Sequence, residues 1–298
     1  MVTLNAKSVR RFGAALALQL LIAPFMTPMA CAATHGKVLV VLSSAAQLEL
    51  RNGVNYPAGY YLDELEVPLH KLIDAGFTPV FANPKGNAVS FDPASNDKLF
   101  FEGDDSARAS AVKYLAGIAD LQHPKTLSTV LKDGTKEYVG VFIPGGFSPM
   151  QDLIQDPTLG KILQTFHTSG RPTGVICHGP VALLSTLPDP AAFTKAMAAS
   201  DWAAASKLAA GWTYAGYRLT VFSSTEERAV EGKGNQLGGE VRFYAADALA
   251  QAGAHVDRVG VWGVNVIEDR EVVSGQQPFS SQAFGDAFVA RLKSAPIR

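Results

Sequence analysis

Cysteine is nearly absent from this chain: the 298 residues contain two, Cys31 and Cys177. A disulfide framework is thereby excluded as the device that organises the fold, because stapled domains are dense in paired cysteines. An excess of charge of one sign is missing as well. Lysine and arginine number 26 against 27 aspartates and glutamates, a formal net charge of -1. No block of basic residues occurs, so the electrostatic footprint of a nucleic-acid surface is lacking and no nucleic-acid partner is expected. His70, His123, His167 and His255 stand at no metal-ligand spacing, and no metal is expected. Beyond the first thirty-odd residues no apolar run reaches the roughly 18 needed to cross a bilayer, so membrane insertion is not expected of the remainder. Internal repeats and linkers are likewise missing.

The amino terminus has its own pattern. Lys7, Arg10 and Arg11 form a basic region, residues 12–26 a mostly apolar core, and Ala30-Cys31-Ala32 a small-residue cleavage site. Together they predict a secretory signal peptide over residues 1–32 and an exported protein, periplasmic or secreted. Arg10-Arg11-Phe12 leaves a twin-arginine route open, and Cys31 a lipid anchor. If Cys31 leaves with the signal, Cys177 is the sole thiol of the mature chain. An intrachain disulfide is then impossible.

Buried strands are predicted at residues 37–42, 78–82, 138–143, 172–177 and 218–222, from short apolar runs bounded by turn residues. A further pair is predicted at 259–266 and 271–274. Helical periodicity falls over 59–75, 106–118, 159–167, 190–211, 241–252 and 281–292. Pro68 is expected to kink the first of these or divide it. Residues 48–56 read as irregular, and 87–124 carry the weakest pattern of all. The alternation predicts one α/β domain over residues 37–293: a doubly wound, mostly parallel sheet with helices on both faces. Ligands of such folds bind outside the carboxyl ends of the strands.

Residues 172–184, PTGVICHGPVALL, read as a strand, a sharp turn and a buried helix, with Cys177 and His178 at the turn. A thiol at such an elbow projects beside free backbone N–H groups and is placed to act as a nucleophile. The plainer alternative is a buried cysteine filling space. A nucleophilic role calls for a lowered thiol pKa, which the following helix and an inward imidazolium of His178 would supply. Gly145-Gly146, after YVGVFIP, lacks the further glycine of a dinucleotide fingerprint, and no cofactor is expected. Trp202, Trp212 and Trp262 are expected in the core or an interface.

Six blocks in order, AGYYLDELEVP, TPVFANPKG, YVGVFIPGG, GVICHGPVALL, YRLTVFSSTEE and EDREVVSGQQP, resemble the ThiJ/PfpI superfamily of class I glutamine amidotransferase-like domains. The resemblance is to its glyoxalase III and protein deglycase branch and spans about residues 38–292. It implies a flavodoxin-like sandwich, with Cys177 as nucleophile, Glu64 as the acid set against the thiol, and His178 as the histidine that follows it. It also implies Glu227 as the acid orienting that histidine, with Glu226 the alternative. Gly145, Gly146, Phe147 and Gly179 are implied as the oxyanion and substrate-binding loop. A small electrophile such as a 2-oxoaldehyde, or a glycated protein, is the implied partner, together with a homodimer. Phe147-Ser148 departs from the His-Gly usual in that branch and puts the substrate in question. The same resemblance leaves room for a stress-protective holdase and for a cysteine-dependent amide hydrolase or isonitrile hydratase. Glu64→Ala is expected to raise the thiol pKa or slow proton transfer.

Overall fold

The structure is a computed structural model that describes residues 35–295; the segment read as a signal peptide, with Cys31, lies outside the described residues. Strand β1 (Lys37–Val41) is buried along its length after Lys37, the two-faced apolarity of a strand covered on both sides. It is followed by a small hairpin, β2 (Gln47–Glu49) with β3 (Asn55–Pro57), in the stretch expected to be irregular. Helix α1 (Leu62–Asp74) then leads to β4 (Thr78–Asn83). Pro68 lies inside α1 without dividing it; the lost hydrogen bond is the one the carbonyl of Glu64 would have accepted.

Helix α2 (Asp105–Ala116), β5 (Lys125–Thr126) and α3 (Leu127–Asp133) precede β6 (Tyr138–Ile143), which matches its predicted bounds. Helix α4 (Pro157–Ser169) joins β6 to β7 (Thr173–Ile176). The alanine-rich stretch is two helices, α5 (Pro190–Ala198) and α6 (Trp202–Leu208), parted at Ser200, whose φ is 57°. Next come β8 (Arg218–Leu219), α7 (Ser224–Val230), α8 (Ala245–Gln251) and β9 (His255–Val256). The chain closes with the hairpin β10 (Val266–Asp269) and β11 (Val272–Gly275), then α9 (Ser281–Ser294). The strand expected from residue 259 begins only at Val266, because residues 259–264 bend away as a partly exposed loop.

The main sheet has the order β10-β11-β7-β6-β1-β4-β5, parallel except for β10. From β1 the chain crosses to β4 on one side, and from β6 it crosses to β7 on the other. Since such crossovers are right-handed, α1 and α4 lie on opposite faces of the sheet. The crossing direction reverses between β1 and β6, which opens a crevice at their carboxyl ends. Glu64 enters that crevice from α1, Gly145 and Gly146 from the end of β6, and Cys177 from the end of β7.

Candidate active site

Strand β7 ends at Ile176, and Cys177 adopts φ 58°, the left-handed region that costs a non-glycine residue roughly 1–2 kcal/mol. Neighbouring backbone holds it there from both sides. The Cys177 N–H donates to the Gly275 carbonyl at 2.9 Å, and the Phe222 N–H donates to the Cys177 carbonyl at 3.0 Å. The elbow is therefore over-determined, and its side chain is left at the floor of the crevice, 3% exposed. The segment after it is a 3₁₀ helix, Gly179–Thr186, rather than the expected α-helix. The hydroxyls of Ser185 and Thr186 donate to the carbonyls of Ala182 and Leu183, three residues back, which suits that tighter winding.

Glu64 sits in the first turn of α1 and is fully buried. Gly145 is the spacer between it and the thiol: a Cβ there would fall 2.5 Å from both the Cys177 Cβ and the Glu64 Oε2. Neither Glu64 oxygen makes a well-formed hydrogen bond, although the thiol and the N–H groups of Gly145 and Gly146 face them. Burial raises this carboxyl well above its ordinary value, and the neighbouring Asp63 carboxyl raises it further. Burial thus favours the protonated form of Glu64. We expect Gly145→Ala to lower kcat/KM at least tenfold, because the added methyl must part the two side chains or press on the Ile176 carbonyl at 2.8 Å. Steady-state assay checks this; unchanged turnover would separate the Glu64–thiol contact from the reaction.

Asp63, not singled out from the sequence, is also buried, with the Ser281 hydroxyl donating to its Oδ2 at 2.8 Å and its Oδ1 unpartnered. Burial pushes its pKa from 3.8 up to about 8, against the opposing hydrogen bonds from Ser281 and the α1 amides. The native state then keeps a proton that the unfolded chain releases near pH 4, so stability falls as pH rises from about 4 to 8. Asp63→Asn is expected to make the decline of Tm between pH 5 and pH 8 shallower. An unaltered slope would assign it to other carboxyls.

The thiol pKa is raised, not lowered as the elbow suggested. Burial is the main cause and the Glu64 carboxyl the next, while the N–H groups of Gly146 and His178 act the other way. His178 supplies no cation: its ring is 1% exposed, and burial pushes its pKa down to about 3. Its Nδ1 lies 3.3 Å from the Cys177 Sγ and its Nε2 3.1 Å from the Glu227 Oε1. Glu227, on α7, also accepts from the Ala245 N–H at 3.2 Å, and burial raises its carboxyl. Glu226 faces elsewhere. It closes a capping box with Ser223 and accepts from the backbone N–H of Trp262 and the amide of Gln276.

Above these groups lies a cavity of about 380 Å³ lined by Gly146, Phe147, Cys177 and His178 together with Tyr61, Phe100, Phe222, Trp262 and Phe279 among others. Phe147 packs on the His178 ring at 4.3 Å between centroids, and the Ser148 hydroxyl turns away to the Gly59 carbonyl. Gly179 lies under the elbow, where a Cβ would fall 2.4 Å from the Ile143 carbonyl; its requirement is close packing. Trp212 is buried in the core as expected, whereas Trp262 is 40% exposed and forms cavity wall. The wall residues were not picked out from the sequence. Tyr61 and Phe222 lie within recognised blocks and Phe279 directly follows one, which was the available signal.

A doubly wound α/β protein with a strained cysteine elbow facing a buried carboxyl is the class that fold and site define. Residues 59–221 match the profile of the DJ-1/PfpI family, and the chain belongs to that family. It is 26% identical over 262 residues to the protein/nucleic acid deglycase HchA of Staphylococcus aureus, covering 87% of this chain and 80% of that one. Two solved structures share the fold. Rapid Encystment Protein 24 kDa of Francisella tularensis superposes with a TM-score of 0.63 at 22% identity, covering 86% of this chain and 99% of its own. Glyoxalase III from Candida albicans superposes with a TM-score of 0.59 at 19% identity, covering 86% and 97%.

Proposed function

We propose that this protein is a cofactor-independent cysteine enzyme acting on 2-oxoaldehydes, either free, as in conversion of methylglyoxal to lactate, or as adducts on protein. The observation that carries the reading is the Cys177 thiol set across Gly145 from a fully buried Glu64 carboxyl whose pKa burial raises. The deglycase name of the 26% identical relative supports it.

The thiol adds to the aldehyde carbon, forming a C–S bond, and its proton ends on the aldehyde oxygen as a hemithioacetal. His178 and Glu227 assist. Nδ1 of His178, 3.3 Å from the thiol, is placed to take its proton and pass it on to the aldehyde oxygen, with Nε2 held by Glu227. Glu64 then gives its proton to the adjacent carbonyl oxygen and takes the one on the former aldehyde carbon, forming an enediol; it hands that proton to the adjacent carbon as the first hydroxyl returns one to it. A thioester results, and water cleaves it to the 2-hydroxy acid and free thiol. The net change is addition of one water, with no external oxidant or reductant.

The direct test is lactate formation from methylglyoxal by the purified protein without glutathione. Suppression of aggregation that survives loss of Cys177, in a protein with no turnover, would instead support a holdase.

A further inference from the structure

Six rings form an unbroken chain around the cavity above Cys177: Tyr61, Phe100, Phe279, Trp262, Phe222 and Phe147. Successive centroids are 5.0, 5.8, 6.4, 5.9 and 6.1 Å apart. They are drawn from six separate stretches of chain. Among the described residues that line the cavity there is no lysine, arginine, aspartate or glutamate. A substrate whose far end is anionic finds no charge partner there. Methylglyoxal, with one methyl beyond its two carbonyls, would leave most of the roughly 380 Å³ to water against apolar walls.

Trp262 shows that the wall is held in place rather than left over from core packing. Its φ of 62° is left-handed, and it remains 40% exposed. Its backbone N–H donates at 2.9 Å to Oε1 of the buried Glu226, whose carboxylate also takes the Gln276 amide at 3.1 Å and the Ser223 N–H at 2.9 Å. A buried acid beside the proposed His178 partner therefore fixes a strained aromatic residue over the thiol.

We propose that the site selects 2-oxoaldehydes carrying an aromatic group, the arylglyoxals. The dicarbonyl lies at Cys177, and the aryl group sits among Phe100, Phe222, Trp262 and Phe279, where edge-to-face and offset contacts are available. The reacting end rests on the function proposed above. With an aryl substituent the same sequence of bonds gives a 2-aryl-2-hydroxy acid.

Glutathione-free kinetics with phenylglyoxal and methylglyoxal test this. The expected kcat/KM ratio favours phenylglyoxal by about tenfold or more, the scale of burying several further apolar carbons. Trp262→Leu and, as a second variant should that one fold poorly, Phe279→Leu are expected to shrink the ratio about tenfold, chiefly through KM for phenylglyoxal. A second readout needs no turnover: acetophenone should slow iodoacetamide alkylation of Cys177, followed by peptide mass spectrometry, more than acetone does at equal concentration. Methylglyoxal as the better substrate overturns the preference. Turnover of neither aldehyde removes the reaction, and shielding then decides: stronger protection by acetophenone upholds the aryl pocket, and equal protection overturns it.

Discussion

Cys177→Ser is expected to abolish lactate formation from methylglyoxal, with kcat/KM falling about 10³-fold or more, the scale on which loss of a covalent nucleophile registers. The site offers a hydroxyl no strong base. His178 is held neutral with a pKa of about 3, and burial favours the protonated form of Glu64. A thiol still reacts under those conditions because sulfur is the better nucleophile and gives up its proton more readily. The fold should not be disturbed by the change. The elbow is fixed by the residue's own N–H and carbonyl, bonded to Gly275 and Phe222, and both are kept in the serine variant. A Tm within a few degrees of the parent, together with lost turnover, is the expected pair of results. Undiminished turnover would remove Cys177 from the reaction.

The parts of the molecule legible in the sequence are those fixed by local rules. Strand β6 reads to the residue because YVGVFI is apolar throughout and ends in Pro-Gly-Gly, as a strand buried on both faces and then turned must be. The Cys177 elbow reads because a strand, a turn and small residues follow one another within 13 positions. The choice between Glu226 and Glu227 could not be read, since neighbouring helix residues point about 100° apart and only the packing of α7 shows which one meets His178. In the structure Glu227 does, and Glu226 caps the helix.

Long-range features were out of reach for a different reason. Phe100 comes from a short 3₁₀ turn, Lys98–Phe101, inside the stretch with the weakest periodicity, and Trp262 from a loop read as strand. Each ring acquires its place only when the sheet brings its segment to the crevice. Burial is equally a property of the assembled chain. Helix position and an adjacent histidine both argue for an acidic thiol, and desolvation outweighs them.

That reversal gives Glu64→Gln two expected effects of opposite sign. Two acids in contact oppose each other's ionisation, and Glu64 stands among the causes that raise the Cys177 thiol. Replacing the carboxyl by an amide of the same shape removes that opposition, so the pH profile of iodoacetamide alkylation should move to lower pH. This is contrary to the rise expected from the sequence. Turnover should nonetheless fall by about 10²- to 10⁴-fold, the range associated with loss of a positioned proton-transfer group, because an amide can neither take nor return the proton that moves between the two carbons. A more acidic thiol in a slower enzyme would place Glu64 in proton transfer and not in thiol activation. A thiol that titrates higher than the parent would reverse the assignment, and an unchanged kcat would remove Glu64 from the reaction altogether.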